Sequence, residues 1–295
     1  MPYCSGSGPV RRIATATLFL ALAPVGPVLA AAGNEAAGDD LAARWLATSD
    51  AAKEAQPHWM TPLVTVTARL EQEFRYDQSW QSRPRSVEQD NYGGNKGLEL
   101  IPTADTEVII GVPAYQTRSS PKGSVSGWSD ETLLVKYRFA AANEEHGNRI
   151  VTGFLGVSLP SGSKVFTNHH AIVTPTIAAG HGWGSREQGF DVQSTLGVAI
   201  PTGDRRTLGV PIAWNTTLQA HVFGKLWPEL EANYTRYKDG PNDGHSQLAV
   251  TAGIIAGRFE VTRRVRHIVG GGYQKAVSSF RVFEHSWLLS GRATF

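Results

Sequence analysis

Nine histidines and many serines raise the question of a nucleophile. A His two residues before a Ser would put both on one face of a strand, where a lipid hydrolase built into a barrel wall needs them. No His here precedes a Ser by two. His245-Ser246 and His285-Ser286 are adjacent, so on a strand they point to opposite faces. A Ser–His pair across strands has nothing to support it. His169, His170, His181, Asp204, Asp239, Asp243 and His245 are the candidates for an acid–base cluster at one rim, acting on lipid or peptide. Ordinary loop polarity accounts for them equally well. His169-His170 diverge if extended and do not chelate a metal as a unit. Gly270-Gly271-Gly272 is not followed by a helix and is no phosphate cradle; it reads as a flexible strand end or a close approach of backbone. Cys4 is the only cysteine, which excludes an intrachain disulfide and a cysteine metal cluster. The expectation is therefore no catalytic residue, no metal and no cofactor.

Charge at alternate positions offers a different chemistry. Arg69, Glu71, Glu73, Arg75, Glu99, Glu107, Lys136, Arg138, Asp191, Glu229, Glu231, Arg264, Arg266 and Arg292 each lie opposite an apolar face. A two-sheet sandwich would leave such charges on its outside. A closed barrel can hold them inside, wet and paired. The candidate lumen-lining set is Arg69, Glu71, Lys136, Arg138, Glu229, Glu231, Arg264, Arg266 and Arg292, whose work would be to steer a solute or to stiffen the wall by ion pairs.

The elements that must carry these charges are strands of period two. Trp287, Leu289, Gly291, Ala293 and Phe295 share a face opposite Ser286, Ser290, Arg292 and Thr294. Leu218 and Trp214 oppose Thr217 and Gln219, and Leu230, Ala232 and Tyr234 oppose Glu229 and Glu231. Leu133, Val135, Tyr137 and Phe139 oppose Lys136 and Arg138. The first such run sets Val64, Val66, Ala68 and Leu70 against Thr65, Thr67, Arg69 and Glu71. Twelve segments follow: 64–76, 95–101, 105–115, 127–139, 149–159, 169–181, 188–200, 210–223, 226–237, 246–257, 259–272 and 284–295. Most exceed the ~5–6 residues of soluble strands and suit the ~9–11 that cross a bilayer with tilt. Long connections (77–94, 116–126, 160–168, 201–209, 238–245, 273–283) alternate with short ones, the outer-membrane pattern. Tyr76, Trp80, Trp128, Trp183, Trp227, Tyr237, Phe259, Tyr273 and Phe295 fall near segment ends, as interfacial girdles require.

The expected class is all-β: a single transmembrane antiparallel β-barrel of about twelve strands, with a short, partly helical N-terminal extension. Hydrophobic residues at 41%, charged residues at 18% and 31 glycines suit it, and a net charge of +2 gives no reason to expect a nucleic-acid partner. Arg11-Arg12, the apolar run 13–23 and Val28-Leu29-Ala30 read as a cleaved export signal over 1–30. Residues 31–62, with Asp39-Asp40 before Leu41-Ala42-Ala43-Arg44-Trp45-Leu46, read as a periplasmic extension bearing a short helix, and 63–295 as the barrel. A plug inside the lumen is the less favoured place for the extension. The closing strand with Trp287, Leu289 and terminal Phe295 resembles the signal read by the bacterial barrel-assembly machinery. The expected location is the outer membrane of a Gram-negative cell, with outer-membrane lipid, that machinery and a small-molecule solute as partners.

Three stretches carry a family resemblance. Asp130-Glu131-Thr132-Leu133-Leu134-Val135-Lys136-Tyr137-Arg138-Phe139, Gly156-Val157-Ser158-Leu159-Pro160-Ser161-Gly162 and Leu196-Gly197-Val198-Ala199-Ile200-Pro201-Thr202-Gly203-Asp204 resemble strands of the outer-membrane transporter family labelled "MetA-pathway of phenol degradation". The resemblance spans about 100–295 and implies a channel for small hydrophobic or aromatic compounds. The rival expectations are a barrel enzyme acting on lipid or peptide, and a closed structural barrel.

Overall fold

In the computed structural model the chain is described over residues 35–295 except Asn95, with side chains from Asp40 onward. The export signal expected over 1–30 lies outside the described residues. Helix α1 (Glu35–Glu54) comes first, and Pro57 follows its end, where a missing N–H and a fixed φ cannot continue a helix. The strands are β1 (Glu73–Arg83), β2 (Val87–Tyr92), β3 (Gly97–Thr103), β4 (Thr106–Gly111), β5 (Tyr115–Ser120), β6 (Gly123–Trp128), β7 (Glu131–Ala142), β8 (Arg149–Leu159), β9 (Ile172–Gly184), β10 (Gly189–Val198), β11 (Ile200–Pro201), β12 (Val210–His221), β13 (Leu226–Lys238), β14 (Ser246–Glu260), β15 (Arg266–Ala276) and β16 (His285–Thr294). A one-turn helix, α2 (Arg205–Leu208), lies between β11 and β12.

Twelve of these strands form a closed antiparallel barrel in the order β16-β15-β14-β13-β12-β10-β9-β8-β7-β4-β3-β1. β1 closes it against β16 from Glu73↔Thr294 to Ser82↔His285. Closure removes the unpaired edges that an open sheet would expose. β2, β5 and β6 continue the wall beyond one end as paired hairpins. That end also carries the long 160–171, 239–245 and 277–284 connections. Short turns at 143–148, 185–188, 222–225 and 261–265 mark the other end, where α1 and both ends of the barrel wall lie.

Alternation sorts the two faces. Leu133, Val135, Tyr137, Leu218, Leu230, Ile254, Trp287 and Leu289 are exposed on the outside. Their facing neighbours Lys136, Thr217, Gln219, Glu231, Thr251 and Ser290 are buried within. A continuous apolar exterior over a polar interior is the inverse of a soluble protein and fits hydrocarbon around the wall. Trp128, Trp183, Phe259 and Tyr273 also face outward near strand ends, with Tyr273 4.8 Å from Trp287. Trp227 does not belong to this girdle. It is fully buried inside, against Met60, Leu63, Ile255 and Ile268. Tyr237 also packs inward, on Phe280 of the β15–β16 loop.

The first strand departs most from expectation. The wall begins at Glu73, not at 64. Residues 57–72 have no regular secondary structure and few are exposed, because they thread the lumen. The boundary expected at 62/63 therefore falls inside this segment. Alternation misleads here because any extended chain points successive side chains to opposite sides, whether or not it pairs with a neighbour.

Candidate functional site

The segment 57–72 has no ladder partner, so its backbone groups must find partners elsewhere. The inward side chains of the wall supply them. Glu229 accepts from Leu63 N at 3.0 Å, and Glu231 accepts from Val64 N at 2.8 Å and Thr65 N at 2.7 Å. Arg75 donates to the carbonyls of Pro62 and Leu63, and Arg292 to that of Pro62. Gln193 donates to Met60 O at 3.0 Å and accepts from the Thr67 hydroxyl at 2.7 Å. Thr152 donates to Ala68 O, Lys136 to Arg69 O, and Glu107 accepts from Glu71 N. Gln56, just after α1, both donates to Leu70 O and accepts from Leu70 N. Hydrogen bonds to charged groups contribute about 1.5–3 kcal/mol each when made and cost more when broken inside.

Apolar knobs seat the segment. Trp59 is 0% exposed among Ala68, Ile150, Phe154 and Ala178, and its indole N–H donates to Asn148 Oδ1 at 2.8 Å. Leu70 packs with Ala52 and Ile101. Leu63 enters a dimple left by two inward glycines: a Cβ on Gly253 or Gly272 would stand 2.5 or 2.7 Å from its Cδ1. This is the close approach that glycine permits, and it explains part of the Gly270-Gly271-Gly272 run.

The expected lumen set divides into three groups. Lys136, Arg138, Glu229, Glu231 and Arg292 are on the wall and buried inward. Lys136 pairs with Glu107 at 3.0 Å, both fully buried. Arg138 pairs with Asp105 and donates to Ala52 O at the end of α1. Arg69 and Glu71 are inside the barrel but belong to the threaded segment, where they pair at 3.0 Å; their assignment to a wall strand is corrected. Arg264 is in the β14–β15 turn and pairs with Asp50 of α1 at 3.1 Å. Arg266 opens β15 half-exposed, 3.8 Å from Glu260. Trp287 and Leu289 point outward, and Phe295 N donates to Gln72 O at 3.1 Å.

Inward residues outside that set matter as much. Gln193, Gln219 and Thr152 contact the segment or its partners, and Asp191 holds His221 at 2.7 Å. They carry the same alternation signal as the charges, but neutral side chains draw less notice. The rim cluster is not assembled as a whole, because one of its seven members is at the wrong end. His181 lies on β9 opposite Arg149, at the short-turn end, whereas His169 and His245 lie in long loops at the other. No group of three His, Cys, Asp or Glu able to hold a metal occurs among the described residues.

The segment divides the lumen. On the long-loop side is a cavity of about 680 Å³ lined by Leu63, Val64, Val66, Arg75, Asp77 and Lys96 among others. On the α1 side is one of about 420 Å³ that reaches Met60, Thr61, Arg69 and Glu71. Its root is pinned at the short-turn end. Glu144 accepts from His58 N at 2.6 Å and pairs with the His58 ring at 2.9 Å, and Arg186 pairs with Glu54. Burial would raise the Glu144 carboxyl, but the His58 hydrogen bonds outweigh it and hold the pKa at about 2.

No protein-family model matches the chain. No curated protein matches it. Among solved structures, it is similar to an outer membrane channel from Pseudomonas putida F1 at 12% identity and a TM-score of 0.48, over 75% of this chain and 93% of that one. It is similar to the NanC porin at 10% identity and 0.44, over 75% and 98%. The transport unit of the autotransporter AIDA-I from Escherichia coli is similar at 11% and 0.40, over 76% and 88%.

Proposed function

We propose that this chain is an outer-membrane channel for small molecules whose lumen is closed by its own residues 57–72. The observation that carries the reading is a polar lumen with a cavity on each side of a segment that is held by wall side chains and, at Gln72, by one main-chain bond from Phe295. Such a segment can leave without breaking the wall's ladder. An exported chain of a Gram-negative cell, assembled by the machinery that reads its last strand, is the setting this reading assumes. The resemblance of 130–139, 156–162 and 196–204 tilts the solute toward small hydrophobic or aromatic compounds. The lumen's charges would orient the polar end of such a solute.

A closed structural barrel is the second reading, favoured by the number of wall side chains committed to the segment. Single-channel conductance in a planar bilayer separates the two. The mature chain is expected to give rare, small steps. A form lacking 31–72, or Glu231→Gln, which keeps the volume but weakens the hold on Val64 and Thr65, should give frequent, larger ones. A folded barrel silent in all three forms would defeat the channel reading.

A further inference from the structure

The cavity on the α1 side is lined by seven Lys and Arg against four Asp and Glu. Five of these cations have a carboxylate partner: Arg264 and Lys53 share Asp50, Arg186 pairs with Glu54, Arg266 with Glu260, and Arg69, through Nη1, with Glu71. Arg258 and Arg263 are ion-paired with no described carboxylate. Arg69, though 5% exposed, keeps its Nε without a hydrogen-bond partner.

Arg258 is placed by a distortion of the wall. It has φ +58 and sits at the break in register between Gly257 and Phe259. Gly257 faces inward and Phe259 outward, so regular pleating would have sent Arg258 out. The bulge turns it into the lumen, as bulges do where a strand must re-aim a side chain. There its Nη2 donates to the carbonyls of His58 and Trp59, and its guanidinium lies 5.2 Å from the Trp227 ring. Met60 and Ile268, both nearly inaccessible to solvent, form an apolar side of the same cavity.

We propose that this cavity binds a small organic carboxylate, its oxyanion met by Arg69, Arg258 and Arg263 and its apolar body resting on Met60 and Ile268. Guanidinium groups suit this task because their planar donors match a carboxylate. A volume of about 420 Å³ lies within the range of small-ligand sites, about 300–1,000 Å³. The inference rests on the channel reading, whose solute class it names.

Calorimetric titration of the refolded mature chain in detergent, with sodium benzoate, benzyl alcohol and inorganic phosphate, tests it. Saturable benzoate binding is expected, weaker by at least about tenfold in Arg263→Gln and in Arg258→Gln, and weaker with added salt. Arg263→Gln is the cleaner variant, since Arg258 also holds the backbone of His58 and Trp59. Benzyl alcohol, of similar shape and uncharged, should bind at least about tenfold less tightly. Absence of saturable benzoate binding, equal affinity for benzyl alcohol, or no loss in either variant would overturn the site. Phosphate binding as tight as benzoate would overturn the organic ligand. Because binding is read without current, a barrel that binds but never conducts keeps the site and loses the channel. A barrel that conducts but does not bind does the reverse.

Discussion

Glu144 ties the start of the threaded segment to a turn outside the barrel strands. It lies in the β7–β8 turn and grips the His58 backbone and ring. Its pKa falls from 4.5 to about 2 on folding. A lowered carboxylate pKa stabilises the folded contact above the unfolded value, and that contribution is lost as pH falls through the folded one. The grip should therefore be fully present above about pH 4.5 and disappear only toward pH 2. Protease cleavage within 57–72 is expected to be slow and unchanged from pH 7 to 5. Glu144→Gln should accelerate it several-fold at pH 7, and a wild-type rate that climbs already between pH 7 and 5 would contradict this assignment.

Strand β12 carries the contrast between lipid and lumen on consecutive residues. Leu218 is 46% exposed on the outside, between Val192 and Leu230 of the neighbouring strands. Gln219 is 0% exposed inside, donating to Glu229 at 2.6 Å. An arginine on the lipid face near mid-membrane costs about 2–4 kcal/mol. Leu218→Arg should sharply reduce the heat-modifiable, folded band on a gel. Gln219→Leu should leave that band near normal, its loss being hydrogen bonds to Glu229 and Gln193 and a looser threaded segment. Equal losses of the folded band would mean that the two residues do not face opposite media.

The barrel as a whole depends on meeting its own ends. Ten residue pairs join β1 to β16, and Phe295 reaches the threaded segment through Gln72 while Lys53 of α1 donates to its carbonyl at 3.1 Å. Closure, the threaded segment and the helix thus converge on the last residue. Removing Phe295 should lower the amount of folded protein recovered in the outer membrane, measured against the intact chain at equal synthesis. Unchanged recovery would mean that this junction does not limit assembly.

How much of this was legible in the chain depends on the range of the interactions involved. Alternation along β7, β12, β13, β14 and β16 reports the two media on either side of each strand. A residue's polarity follows its own surroundings, so Leu218, Glu231 and Lys136 could be assigned by inspection, as could the count of strands and the alternation of long and short connections. Residues 63–72 carry the same alternation without being a strand. What makes them a luminal segment is contact with groups far along the chain: Leu63 with Glu229, 166 residues away, and Thr67 with Gln193, 126 away. A local pattern records that a chain is extended, not which partner satisfies its backbone. The dimple at Gly253 and Gly272, the bulge that turns Arg258 inward and the division of the lumen into two cavities arise only when the wall closes around that segment, because each is a relation between elements and none belongs to one stretch of sequence.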